Sequence, residues 1–229
     1  MIRYTFFLDE KSKFDFTVNE DSDSSVETPG EAYPEWVMLS RHRCDECTID
    51  DGSRKTCPAA LSIKTAVEAF SGAASFSRMR VTAEIHGVTL DTTMPAQFAV
   101  RSLVGLLMAL SSCPVMKPLR PMAHFHLPFG GKEHTAFRHL GAFLIGQYLR
   151  QLHGLPASWD LSDLLEMFKR LHRVNGKLAD RLREASEKDA AINSLISLDT
   201  FATWAEMGIE EHLAGWEQLY AAYLQKDPQ

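Results

Sequence analysis

Three of the chain's four cysteines stand with a histidine in the run HRCDECTIDDGSRKTCP, residues 42–58, spaced His42-x-Cys44-x2-Cys47-x9-Cys57. A C-x2-C pair lets two thiolates converge on one ion from a single tight turn, and a third ligand after a short loop closes the set. Zinc takes four ligands in a tetrahedron and prefers thiolate and imidazole, so His42 can supply the fourth. The intervening TIDDGSRKT is polar and has almost no apolar residue of its own. A segment without a core is where a bound metal contributes most to local folding. Cys57 immediately precedes Pro58 at the predicted start of a helix, where free N–H groups and the positive end of the dipole favour a thiolate. That environment suits a metal ligand and a reactive thiol alike. The bland alternative is four unrelated buried cysteines, a fair reading of Cys113 alone and a poor one of three cysteines on one polar loop.

The fourth cysteine lies in SSCPVMKPLRPMAHFHLPF, where Cys113 ends an apolar stretch and is again followed by proline. If the fold brings it to the loop, Cys44, Cys47, Cys57 and Cys113 make a set of four thiolates, which suits a zinc ion or an iron–sulfur cluster. Lys117, Arg120, His124 and His126 follow closely, and such cations can depress a thiol pKa and hold an anion. A phosphatase-type cysteine loop is excluded: the spacing is Cys-x6-Arg, no glycine intervenes, and prolines remove donors where phosphate needs them. Pro114, Pro118, Pro121 and Pro128 predict an ordered, non-helical connector. In an extended chain His124 and His126 face one side, as ligands or general bases. Their competing reading is imidazoles bonded to backbone carbonyls in a packed segment.

These residues need elements to position them. IRYTFFLD and KFDFTVNE read as a hairpin joined by EKS, and RMRVTAEIHGVTLDTT as a second hairpin turning at His86-Gly87. EWVMLSRH is expected to be a third strand delivering the chain to the cysteines. PAALSIKTAVEAFSG has Ala60, Ile63, Val67 and Phe70 on one helical face, with Pro58 in its first turn and Gly72 at its end. Beyond Pro95 the pattern turns helical. AQFAVRSLVGLLMALSS is strongly apolar. KEHTAFRHLGAFLIGQYLRQLHG aligns Phe137, Leu140, Leu144, Tyr148 and Leu152, stopping at Gly154. SDLLEMFKRLHRVNGKLADRLREAS aligns Leu164, Phe168, Leu171, Leu178 and Leu182, and its basic residues Lys169, Arg170, Arg173 and Lys177 read as a solvated face. AAINSLISLDTFATWAE and IEEHLAGWEQLYAAYL complete about five helices. The expected class is α+β: N-terminal hairpins with a cysteine loop and one helix, residues 1–93, packed on a helical bundle, residues 94–229, as two parts or one compact domain.

Charge narrows the function classes. Residues 1–50 carry a net charge of −7 against −6 for the whole chain. An acidic N-terminal part beside a balanced body argues against nucleic acid as partner. No secretory signal is visible, and the most apolar stretch, broken by Arg101, falls short of a bilayer span. The expectation is a cytoplasmic protein with no membrane role, whose cysteines are ligands or reactive thiols rather than disulfides. There is no P-loop, G-x-G-x-x-G, G-x-S-x-G or recurring Glu-x-x-His pair.

Together, HRCDEC, TCPAA, SSCP and RPMAHFHLPF resemble an uncharacterised bacterial family known only as a domain of unknown function. Its pattern is His-x-Cys-x2-Cys, Cys-Pro at a helix start, Ser-Gly-Cys-Pro and Arg-Pro-Met-Ala-Arg-Phe-His-Leu-Pro-Phe. The likeness spans essentially the whole chain, including SEKDAAINSLISLD. It falls on His42, Cys44, Cys47, Cys57, Cys113, Arg120, Pro121, Met122 and His126. Ser112 departs from a glycine and His124 from an arginine, which favours His126 over His124. The resemblance supplies no activity, but it implies that Cys113 and the loop cysteines belong to one pattern, which favours a shared site. The leading expectation is therefore a metal-site protein with a structural or regulatory centre, its ligands drawn from Cys44, Cys47, Cys57, Cys113 and His42. The rival is an enzyme or redox protein using an iron–sulfur cluster or a reactive Cys113, with Arg120, His126 and Lys117 around an anion. A metal-free interaction module is third.

Overall fold

The computed structural model describes residues 1–8, 12–50, 52–185, 190–206 and 213–225. Four antiparallel strands, β1 (Ile2–Phe7), β2 (Lys13–Val18), β3 (Arg78–Ile85) and β4 (Val88–Pro95), form one sheet in the order β2-β1-β3-β4. Both expected hairpins are present. The turn between β1 and β2 falls at 9–11, outside the described residues. The β3–β4 turn has His86 at φ 48° and Gly87 at φ 80°, with Ile85 opposite Val88. Two successive positive φ angles give the turn whose twist matches the strands, and glycine takes the second without strain.

Alternation decides the buried face. Ile2, Tyr4 and Phe6 of β1 and Met79, Val81, Ala83 and Ile85 of β3 are buried, while Arg3, Arg78, Arg80 and Glu84 lie on the open face. Helices α1 (Pro58–Phe70) and α2 (Ala96–Ala109) lie over the apolar face. Phe70 meets Phe6 edge-on at 4.8 Å between ring centroids and Phe14 at 5.6 Å. Each such side chain contributes about 1.5–3 kcal/mol by leaving water. α2 is the central element, touching the sheet, α1 and α6 (Ala190–Glu206), which itself packs on α5 (Ser162–Ala185). The buried core runs without a break across Thr93. Among the described residues no helix is long and apolar enough to cross a membrane.

Several expectations need correction. EWVMLSRH is not a strand: Glu35–Val37 form a single 3-10 turn, and Met38 makes only an isolated bridge to Thr56. Nothing pairs it into the sheet, because the loop carries it over to α5. The Cys113–Phe129 connector is partly helical, with a 3-10 turn at Lys117–Leu119 and α3 at Arg120–His124. Pro118 and Pro121 sit in the first turns, where a missing N–H costs nothing, so they start helices rather than exclude them. α4 (Lys132–Leu152) ends as expected, with Gly154 at φ 68° and Leu155 N–H donating to the Arg150 carbonyl at 2.9 Å. Its aligned apolar stripe is only partly covered. Leu140 is buried, whereas Phe137, Leu144, Tyr148 and Leu152 are exposed. Periodicity says which residues share a face, not which face meets the core. Of the final expected helix, 209–212 lie outside the described residues; the rest is helical at 213–214, turns over 215–220 and the short α7 (Ala221–Leu224).

Candidate metal centre

Three elements converge at one edge of the molecule. Cys44 and Cys47 lie on the loop, closed by a bond from Cys47 N–H to the Cys44 carbonyl at 3.1 Å. Cys57 is the N-cap of α1, with Pro58 next, and its N–H is fixed on the Val37 carbonyl at 2.8 Å. Cys113 follows the end of α2. All four are free thiols, Cys57 and Cys113 buried and the other two half-buried. All four line one small cavity of about 20 Å³, closed otherwise by apolar residues such as Leu39, Ile49, Pro58 and Val174. As the side chains stand, no group of three or more His, Cys, Asp or Glu among the described residues closes on a single point as an ion would require.

The loop is tied down from several sides. Glu27 Oε1 accepts from the N–H groups of Lys55 and Thr56 at 3.0 and 2.7 Å. Arg54 donates to Ser112 Oγ and the Ser25 carbonyl, both at 2.8 Å, which fastens the segment before Cys57 to the residue before Cys113. Arg41 Nε donates to Glu184 Oε2 at 2.9 Å, and Arg173 pairs with Glu46.

Electrostatics distinguish this cavity from an ordinary core gap. Its lining includes Arg43, Lys177 and Arg181 and, among the described residues, no carboxylate. Arg181 is 1% exposed and donates from Nη1 to the carbonyls of Trp36 and Met38 at 2.8 and 2.6 Å. No carboxylate partner accompanies it among the described residues. Arg43 donates to the Ile49 carbonyl. A buried cation facing thiols, without a carboxylate, calls for negative charge on the thiols themselves. As free groups, Cys44 and Cys113 resist that charge. Burial, then the neighbouring thiols Cys57 and Cys113, push Cys44 up to about 12, with Arg181 opposing. Burial also raises Cys113, against N–H groups of Met116 and Val115 aimed at its sulfur.

The other candidates fall elsewhere. His42, at φ 38°, places Nε2 2.8 Å from Glu184 Oε1 and does not line the cavity. Its bond lowers the Glu184 pKa, the largest of several causes. Arg120 donates to the Asp21 carbonyl at 3.0 Å on the surface, and Lys117 is exposed; neither reaches either cavity described here. His124 is exposed against Phe125. His126 points inward instead, its Nε2 2.5 Å from the Tyr4 hydroxyl, so the two do not share a side because the backbone at 124 is helical. Lys177, expected on a solvated face, lines the thiol cavity. Arg181 was missed. Its signal was present, since it occupies the apolar stripe of α5 three residues after Leu178, where the spacing calls for an apolar side chain.

Fold and site define an α+β protein with a buried four-thiol cavity faced by cations. The family model described as Domain of unknown function (DUF6901) matches residues 2–221, and the chain belongs to that family. No curated protein and no solved structure matches the chain.

Proposed function

We propose that Cys44, Cys47, Cys57 and Cys113 hold a metal centre as thiolates, with a structural or regulatory role, and that His42 is not a ligand. The observation supporting this is one cavity lined by all four thiols and by Arg43, Lys177 and Arg181, with no carboxylate among the described residues. Four thiolates around a divalent ion, or around an iron–sulfur cluster, leave a complex of net negative charge, and Arg181 and Lys177 answer it.

The nature of the centre has two readings, each with its own observation. A zinc ion suits the polar loop, which lacks a core to hold it. A cluster suits four thiols delivered to one cavity from the loop, the start of α1 and the end of α2, because its ligand sulfurs bind different irons. Elemental analysis and a visible spectrum of anaerobically purified protein decide both questions. About one zinc per chain without colour selects the ion, and iron with acid-labile sulfide and absorption near about 400 nm selects the cluster. Protein that binds neither metal after anaerobic reconstitution, with all four thiols reduced, ends the proposal.

A further inference from the structure

A second, larger cavity of about 160 Å³ lies on the other side of Met116, between the C-terminal half of α2, the connector, the start of α4 and the helices α5 and α6. Among the described residues its lining contains two guanidinium groups, Arg101 and Arg138, and no carboxylate. Arg138 donates from Nη2 to the Met122 carbonyl at 2.5 Å, while its Nε is buried with no hydrogen-bond partner. Arg101 donates from Nη1 to Ser197 Oγ at 2.9 Å and lies over the Phe98 ring. Neither has an acidic partner among the described residues. Asp199, the acid nearest the lining in the bonding pattern, is engaged by His172 and Asn175.

The remaining polar groups are arranged around this space. Phe129 N–H donates to Ser102 Oγ at 3.2 Å, Ser102 Oγ meets the Tyr4 hydroxyl at 2.9 Å, and Tyr4 meets His126 Nε2. Burial drives both His126 and His139 down to about 3, so both imidazoles are neutral and add no cation. Phe129 adopts φ 61°, a conformation costly for a side chain with a Cβ and characteristic of binding sites. The rest of the wall is soft and apolar, with Met108, Met116 and Met122 among its members. Methionine adapts to the shape of what it meets.

We propose that this cavity binds a small organic monocarboxylate with an aromatic or short branched apolar body, its carboxylate on Arg138 and Arg101. A buried, unpaired Nε–H beside a second guanidinium is an anion site in need of its anion. An apolar cavity of roughly 150 Å³ takes a benzene ring, which sets the size of the body. An inorganic oxyanion would leave the methionine wall unfilled. The site is independent of the metal centre and of the reading given to it.

The test is a titration of the full-length protein with benzoate, followed by the methyl resonances of Met108, Met116 and Met122. Ring currents make these methyls direct reporters of an aromatic guest. Benzoate gives saturable shifts at these three methyls; benzamide, isosteric and neutral, binds at least about tenfold more weakly, and so does benzoate to Arg138→Gln. Arg101→Gln, run in parallel, weakens binding in the same sense and keeps the experiment decisive if R138Q does not fold. The proposal is overturned by no saturable shift up to about 10 mM benzoate. Equal affinity for benzamide, undiminished binding to the folded variants, or tighter binding of inorganic phosphate each overturns it as well.

Discussion

Replacing Arg181 by methionine and by lysine separates its two roles. The side chain is buried and satisfies the carbonyls of Trp36 and Met38. Methionine fills similar space but leaves both carbonyls without a donor, at about 1–3 kcal/mol each, so the fold loses about 2–6 kcal/mol. Lysine keeps the charge and one or two of these bonds, and loses roughly half as much. The charge acts on the metal as well. At an effective dielectric near 20 and a separation of about 6–8 Å, as between side chains sharing so small a cavity, one unit charge is worth about 2–3 kcal/mol. That converts to roughly thirty- to hundredfold weaker metal retention in Arg181→Met, with Arg181→Lys staying within a few-fold of wild type. Chelator competition on the folded fraction measures retention, and denaturant unfolding of metal-bound and metal-free protein completes the cycle. If both variants retain metal equally well, the guanidinium charge is not felt at the thiols and the electrostatic case for the centre fails.

Chelation should raise hydrogen exchange across residues 42–58 far more than in α2 or α5, because those helices bury their own apolar faces; uniform protection changes would place the metal outside the loop. Phe70→Ala removes a fully buried ring packed on Phe6 and Phe14 and should cost about 3–5 kcal/mol by denaturant unfolding, whereas a loss below about 1 kcal/mol would contradict the packing. His126 and His139 are held neutral in the fold and titrate normally when unfolded. Below about pH 6.5 the unfolded chain therefore takes up protons that the folded one refuses, so stability is full above that pH and falls steadily toward about pH 3. Unfolding free energies against pH should show this slope, and His126→Gln with His139→Gln should flatten it.

The hairpins, α1 and the helical second half were visible in the sequence because each rests on a local period, and Pro58 and Gly154 mark their ends. The kinship of the four cysteines was visible in spacing and in the repeated Cys-Pro. What spacing could not show was position in space. Lys177 looked solvated because its neighbours along α5 are charged, yet it faces the thiols. Arg181 breaks an apolar stripe, and only the docked loop carbonyls explain why it is tolerated there. Arg120 and His126 stood close in sequence, but one turn of helix sent Arg120 to the surface and His126 beneath the sheet. The second cavity left no sequence mark at all, since its two arginines come from different helices.

The cysteine cavity draws on distant parts of the chain, and that has a consequence for biosynthesis. A ribosome adding roughly 5–20 residues per second completes the Cys44–Cys47 pair many seconds before Arg181 is made. Through that interval two closely spaced thiols stand without the helix that later encloses them and without the cation that offsets their charge. They are then at their most exposed to oxidation and to stray metal. On the proposed reading the centre is filled after translation, on a chain that has already docked α1, α2 and α5, and its loading is a step of maturation rather than the event that starts the fold.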